Sequence, residues 1–300
     1  MNNLINYNNN NLKKITNIYQ LNYKNGVAQG FGDYLNGCFF LLQLCLKNNI
    51  SFEMNFKNHP ISKYFIIESK SIDQNEIIDY DNILYYNLGE DIRKNKYLLY
   101  NTFISHINNI NTKTYSLFCN LNPIYPIQEI GKEIIKSKII PSIEIENSVQ
   151  SLLDNFNLKP YNYEIIHIRS GDKYLLSNQK LDFDTFKKYV IFLKNNTNPK
   201  SSYILISDNN ELKTKIKKSN IFTNIFIDDL MTVCHTGENC IKTEESLKNT
   251  VVDFFTMSKS KNIISISLQS RGGTGFSRLC ATIFDIPYKS LLIDLGNHLH

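Results

Sequence analysis

Four short apolar runs in the second half of the chain end in side chains that can do chemistry. "YEIIHIRSGD" ends in His167, Arg169, Gly171 and Asp172, "SYILISDN" in Ser207 and Asp208, and "NIFIDD" in Asp228 and Asp229. "NIISIS" runs on into "LQSRGGTGFS", which carries Ser270, Thr274, Gly275, Phe276 and Ser277. Under the two-residue period of a strand, His167 and Arg169 share one face, while Ile166 and Ile168 turn the other way, into the core. A guanidinium is always charged and holds two phosphate oxygens at once. The glycine-rich turn before "FSRLCATIFDI" opens a helix, whose backbone N–H groups and dipole favour an anion, and Ser270, Thr274 and Ser277 add hydroxyls. This is the chemistry of a pocket for a nucleoside diphosphate. An arginine and a helix N-terminus can neutralise a diphosphate without Mg²⁺, and with no plausible carboxylate cage read among these segments, no metal is expected.

Each of these residues also has a plainer reading. Arg169 could pair with Asp172 or Asp208 within the fold, and His167 could be a satisfied core histidine. Asp228 and Asp229 fit a helix cap or a solvated turn. Asp253, in "VVDFFTMS", is either a polar residue on an exposed helix face or a contact to a nucleotide base or ribose.

These segments are positioned by alternating elements. "YEIIHI", "SYILIS", "NIFID" and "NIISIS" read as strands. Between and after them lie the helices "DFDTFKKYVIFLKNN" (capped by Asp182 or Asp184), the charged "NELKTKIKKS", "TEESLKNTVVDFFTMSKS" (capped by Thr243) and "FSRLCATIFDI". Each crossover is long enough for parallel pairing, and the apolar runs suit strands buried on both faces. The expectation is a doubly wound α/β domain, whose ligands bind outside the carboxyl ends of the strands.

The first half is less legible. "GVAQGFGDYLNGCFFLLQLCLKNNISFEMNF" reads as loop, helix and strand: Gly30 and Gly32 mark the turn, Asp33 opens the helix, and Leu35, Phe39, Leu42 and Leu46 fall at helical spacing. The glycine spacing is not that of the dinucleotide fingerprint. Weaker elements, including "ILYYNL", follow to about residue 120, and two helices broken at Pro141 precede "NLKPYNY". The expected division is a first domain of residues 1–158 and a second of 159–300, facing each other across a cleft.

With 300 residues, 42% hydrophobic and 20% charged, the composition is globular. A net charge of +5 suits an anionic ligand as well as a surface with a few spare lysines, and the absence of a basic-aromatic stripe argues against nucleic acid. "MNNLINYNNNNLKKITNIYQ" lacks the core of a signal peptide, "YNNNN" reads as a frayed polar end, and "GCFFLLQLCL" is too short to span a bilayer. The six cysteines are scattered, and Cys38 and Cys45 fall in an apolar helix pattern, as expected of reduced thiols in the cytoplasm. The spacer of "CHTGENC" fits no common zinc pattern; Cys234 and Cys240 read as free thiols in a loop or, in an oxidising compartment, a disulfide.

Taken in order, "HIRSGD", "LISDN" and "SRGGTGFSRLCATIFDIP", together with "GFGDYLNGCFFLLQLC", resemble the GDP-fucose-dependent fucosyltransferase superfamily, over about residues 26–56 and 160–288. The resemblance implies a GT-B fold of two Rossmann-like domains with the donor nucleotide on the second. It implies an inverting, metal-independent transfer of fucose from GDP-fucose, a substrate rather than a cofactor, to a glycan or protein hydroxyl. Arg169 would hold the β-phosphate and ease departure of GDP. His167, Gly171 and Asp172 would shape that loop, Ser207 and Asp208 would line the nucleotide pocket, and Asp253 with residues 270–277 would bind base, ribose and phosphate. Asp33 stands near where that family's N-terminal loop often has Asn-Gln, and is the candidate base for the acceptor hydroxyl. Two rival readings remain: a transferase with a UDP or dTDP donor, and a relative that binds a nucleotide sugar or glycan without transferring it.

Overall fold

The computed structural model describes residues 14–19, 30–67, 77–79, 98, 100–102, 104–105, 114–171, 180–234, 243–267 and 274–293. Two all-parallel sheets dominate it. The first has the order β2-β1-β5-β4, built from β1 (Lys14–Ile18), β2 (Ser51–Asn55), β4 (Ile77–Asp79) and β5 (Thr114–Phe118). The second has the order β11-β10-β7-β8-β9, built from β7 (Glu164–Arg169), β8 (Tyr203–Ser207), β9 (Ile225–Phe226), β10 (Asn262–Ser267) and β11 (Tyr288–Leu292). A two-residue antiparallel pair, β3 (Phe65–Ile66) with β6 (Ile140–Pro141), lies outside both. In the second sheet the strand order reverses between β7 and β10, and it is at such a reversal that open α/β sheets leave a ligand crevice.

The helices are α1 (Phe31–Lys47), α2 (Glu129–Lys136), α3 (Ile143–Asn155), α4 (Phe183–Asn196), α5 (Asn210–Ser219), α6 (Glu244–Ser258) and α7 (Gly275–Ile283). Their starts follow local capping chemistry. The side chains of Asp182, Asn209 and Thr274 accept from the N–H of Thr185, Leu212 and Ser277, and Thr243 with Ser246 closes a capping box on α6. Helix α1 opens at Phe31, with Gly30 in the cap position, so Asp33 sits in its first turn rather than at its start. Apart from Asp33, Gln43, Leu46 and Lys47, α1 is buried, as expected of a helix apolar on nearly every side.

Strand β7 is packed on both faces. Ile166 and Ile168 join Leu205, Leu212, Leu193 and Tyr189 under α4 and α5, while Ile165 faces a second cluster that continues into the first half of the chain. That cluster contains an aromatic seam: Phe31 lies 5.4 Å from both Phe65 and Phe254, Phe65 5.7 Å from Phe255, and Phe254 5.3 Å from Phe276, ring centre to ring centre. Tilted and edge-on ring contacts at these separations stabilise beyond the area they bury. The seam brings α1 against α7 so closely that a Cβ on Gly32 would stand 2.9 Å from the backbone nitrogen of Phe276. Only glycine permits that approach.

Two strands escape the sequence pattern. Strand β1, "KITNI", pairs with both β2 and β5, yet carries buried Thr16 and Asn17. Asn17 bonds both backbone groups of Cys119 at 3.1 and 3.2 Å, which satisfies a polar side chain where an apolar one was expected. Strand β11 adds an edge beside β10. Strand β9 is shorter than "NIFID" implies: it ends at Phe226, and Asp228 turns the chain by accepting from the N–H of Leu230 and Met231. The segments "YNNNN" and "ILYYNL" lie outside the described residues. No helix among the described residues is long and apolar enough to cross a membrane.

Candidate functional site

A cavity of about 210 Å³ opens at the carboxyl ends of β7 and β8, between the N-termini of α1 and α7. Of the residues singled out in the sequence, Gly30, Gly32, Asp33, His167, Arg169, Ser207, Asp208, Asp253, Thr274, Gly275 and Phe276 line it. Gly171 and Ser277 do not line it, and Asp172 and Ser270 lie outside the described residues, as does Cys240.

Arg169, the last residue of β7, is held by Asp208: its Nη1 donates to Asp208 Oδ2 at 2.7 Å. The same carboxylate accepts from the backbone N–H of Ser170 at 2.7 Å and of Gly171 at 3.2 Å. Asp208 therefore ties the turn after β7 to the end of β8 and orients the guanidinium, which remains at the pocket wall. Gly171 has a φ of +101°, a conformation open to glycine at little cost. Burial pushes the Asp208 carboxyl upward, opposed by Arg169 and the two amides. Arg169 is thus ion-paired within the fold, as its plainer reading has it, and also lines the pocket.

His167 is buried, with Nδ1 3.0 Å from Ser277 Oγ and 3.4 Å from Thr274 Oγ1. Ser277 Oγ also donates to Ser265 on β10. The imidazole thus couples β7 to the first turn of α7 and to the hydroxyl that caps it. Burial, and then the neighbouring Arg169 charge, depress its pKa to about 3, which leaves the ring neutral at physiological pH. Stability follows from the sign: the unfolded imidazole takes a proton near its ordinary 6.5, whereas the folded one does not until about 3. His167 therefore contributes stability in full above pH 6.5 and loses it as pH falls toward 3. Denaturant unfolding at pH 7 and pH 4.5 should show a drop attributable to His167, on the order of 2 kcal/mol, that His167→Gln lacks.

Two helix N-termini point into this cavity. Gly30, Phe31 and Gly32 at the start of α1 and Thr274, Gly275 and Phe276 at the start of α7 line it. Each carries about half a unit of positive charge, which adds to that of Arg169 on this part of the lining. Asp33 is exposed at the rim, on the first-half side.

Asp253 on α6 lines the same cavity; it is buried, and its carboxyl is hydrogen-bonded to none of the described residues. Burial raises its pKa to about 7; Lys213 opposes the rise and Asp228 adds to it. A carboxyl poised near neutrality in a cleft is a recurrent mark of a functional group. The wall beside it is formed by Val233, Cys234 and Thr250, none of which stood out in the sequence as site residues. Thr250 Oγ1 donates to the Cys234 carbonyl, and Asn249 Nδ2 to that of Thr232 at 2.9 Å, so α6 holds this loop against the pocket. The detectable signal was spacing, since Asn249 and Thr250 lie four and three residues before Asp253 and share its helix face. Among the described residues no group of three or more His, Cys, Asp or Glu side chains could hold a metal ion.

No family model and no curated protein matches the sequence. Solved structures do match. Crystal structures of NodZ α-1,6-fucosyltransferase, one co-crystallised with GDP and one soaked with GDP-fucose, each align over 96% of this chain and 97% of theirs, at 12% identity and a TM-score of 0.53. The selenomethionine form of the fucosyltransferase NodZ from Bradyrhizobium aligns over the same shares at 11% identity and a TM-score of 0.53. The chain has the fold of these enzymes over nearly its whole length.

Proposed function

We propose that this protein is a glycosyltransferase that transfers fucose from GDP-fucose to a hydroxyl of a glycan or protein. The observation that carries the reading is the convergence in one pocket of Arg169, two helix N-termini and the buried Asp253. That pocket has the polarity a guanosine diphosphate requires. Guanine presents N1–H and a 2-amino group as adjacent donors, which a carboxylate accepts together. The diphosphate would lie across the cavity, against the guanidinium and the amides of α1 and α7. The binding of GDP and GDP-fucose by structures of the same fold supports this choice of nucleotide. The two sheets are read as two Rossmann-like domains in a GT-B arrangement, with residues 1–158 on the acceptor side and 159–300 on the donor side.

In the mechanism that follows, the bond from the anomeric carbon to the β-phosphate oxygen stretches first. Positive charge grows on the sugar and negative charge on the departing diphosphate. Arg169, pre-oriented by Asp208, and the helix amides stabilise that negative charge without reorganising. Because the protein supplies this charge, the reaction needs no metal. An acceptor hydroxyl entering on the Asp33 side would attack the face opposite the leaving group, which inverts the anomeric centre, and Asp33 would accept its proton. His167 stays neutral and fixes the first turn of α7. The buried thiols of Cys38, Cys45 and Cys280 suit a reducing compartment, and we assign the activity to the cytoplasm.

Thermal shift against GDP, UDP, dTDP and ADP tests the nucleotide. GDP at about 100 times its Kd should stabilise the fold by about 2.7 kcal/mol and the others by much less. Equal stabilisation by all four would dismiss the fucosyl reading. GDP binding without transfer or hydrolysis of GDP-fucose would instead identify a binding protein.

A further inference from the structure

Lys213 belongs to the charged helix "NELKTKIKKS", yet it is 2% exposed and inside the protein. It lies on the face of α5 that carries Leu212 and Ile216, and its ammonium donates to the carbonyl of Met231. Met231 belongs to the loop from Asp228 to Cys234. The far end of that loop, Val233 and Cys234, forms the pocket wall beside Asp253. The loop is thus clamped from two sides, by Lys213 on α5 and by Asn249 and Thr250 on α6. A lysine is rarely buried without an electrostatic reason, because desolvating an ammonium is costly.

We infer that Lys213 is a positioning residue of the pocket: it holds the loop 228–234 in place and supplies the counter-charge of the Asp253 carboxylate. This rests on the nucleotide reading above and adds a specific device to it. The groups that act on Asp253 come from several elements. Lys213 attracts its charge, and Asp228, in the loop, repels it. Arg169 and His167 of β7, Asp208 after β8 and Asp33 of α1 share its cavity. On the other sides of α6, Glu144 of α3 pairs with Lys248, the Tyr163 hydroxyl donates to the Thr256 carbonyl, and the Cys280 thiol of α7 donates to that of Phe254. Lys213 is the cation among the groups that shift the Asp253 titration, whose midpoint near 7 is the balance of burial and Asp228 against Lys213; burial in turn lowers the pKa of the lysine itself.

The test is a carboxyl-carbon NMR titration of Asp253 in the unliganded full chain, its signal assigned by loss in Asp253→Asn, together with GDP titration calorimetry from pH 5.5 to 9. In Lys213→Met the Asp253 midpoint should move up by about one unit, so that GDP affinity falls about fivefold at pH 7 and recovers toward the wild-type value at pH 9. Lys213→Arg, which keeps the charge, should restore the wild-type midpoint. Asp228→Asn keeps an acceptor for the N–H of Leu230 and Met231 and should move the midpoint down, which provides a reading even where Lys213→Met does not fold. An unmoved midpoint in Lys213→Met, or in Asp228→Asn where the lysine variant is unfolded, overturns the electrostatic role. So does an affinity loss equal at every pH, the signature of a structural clamp alone. A wild type that binds no GDP at any pH overturns the nucleotide reading instead, whatever Lys213 does to the Asp253 midpoint.

Discussion

Arg169→Ala should fold and bind GDP weakly, but transfer sugar about 10³-fold more slowly than the wild type. The size follows from where the charge appears. In the ground state the diphosphate charge is spread over several oxygens that both helix N-termini also reach. As the glycosidic bond breaks, new charge concentrates on the leaving β-phosphate. A guanidinium held at 2.7 Å by Asp208 meets it without paying to reorganise. The loss should therefore fall mainly on kcat. Arg169→Lys should recover only part of it, because an ammonium is a single point charge and cannot span the geometry of the fork. Removing Arg169 leaves Asp208 buried with two backbone donors, so a modest loss of stability is expected beside the kinetic one. Circular dichroism and thermal unfolding establish folding, and single-turnover transfer from GDP-fucose gives the rate. Full activity in a folded Arg169→Ala variant would remove Arg169 from the site.

Asp253→Asn should produce two opposite effects. GDP affinity should fall roughly 100-fold at pH 8, because the amide offers one acceptor where the carboxylate offers two charge-assisted ones. Its NH₂ group also points a donor at a donor, so the preference for GDP over ADP should collapse. Stability should move the other way. The unfolded Asp253 ionises near 3.8 and the folded one near 7, so between those values the folded state binds more protons. Wild-type stability therefore falls as pH rises from about 4 to 7 and levels off above it. Asparagine escapes that penalty. Its advantage should be absent near pH 4 and fully developed above pH 7, on the order of 4 kcal/mol, the attraction to Lys213 being already contained in the folded midpoint. Thermal melts at pH 4.5 and 8, read beside GDP calorimetry, measure both. A variant that binds GDP as the wild type does would end the assignment of Asp253 to the base, whatever its stability.

The second half was legible because its chemistry is local. Asp182, Asn209 and Thr243 cap the helices they precede, and the alternation of "EIIHIR" places His167 and Arg169 opposite Ile166 and Ile168. Those patterns are set by 3.6- and 2-residue periods within a few positions, so one chain segment suffices to read them. Strand β1 was missed for the converse reason: Asn17 is acceptable in a central strand only because Cys119, 102 residues on, takes up its amide. A pairing over that distance leaves no trace in the local pattern.

The same division runs through the site. By itself the sequence determined which strand ends are polar, that one of them carries a permanent cation, and that a glycine-rich turn opens a helix beside another. Only the tertiary structure decided what those groups do to one another. Asp208 became the holder of Arg169 because β8 lies next to β7, and Ser277 became the partner of His167 because α7 returns over the sheet. In the sequence Asp253 stood only as a candidate contact to the nucleotide, and Lys213 as one charge among several in "NELKTKIKKS". Burial and the loop 228–234 made them the two ends of an electrostatic device, since the cost of desolvating a charge depends on everything packed around it and not on its neighbours in the chain.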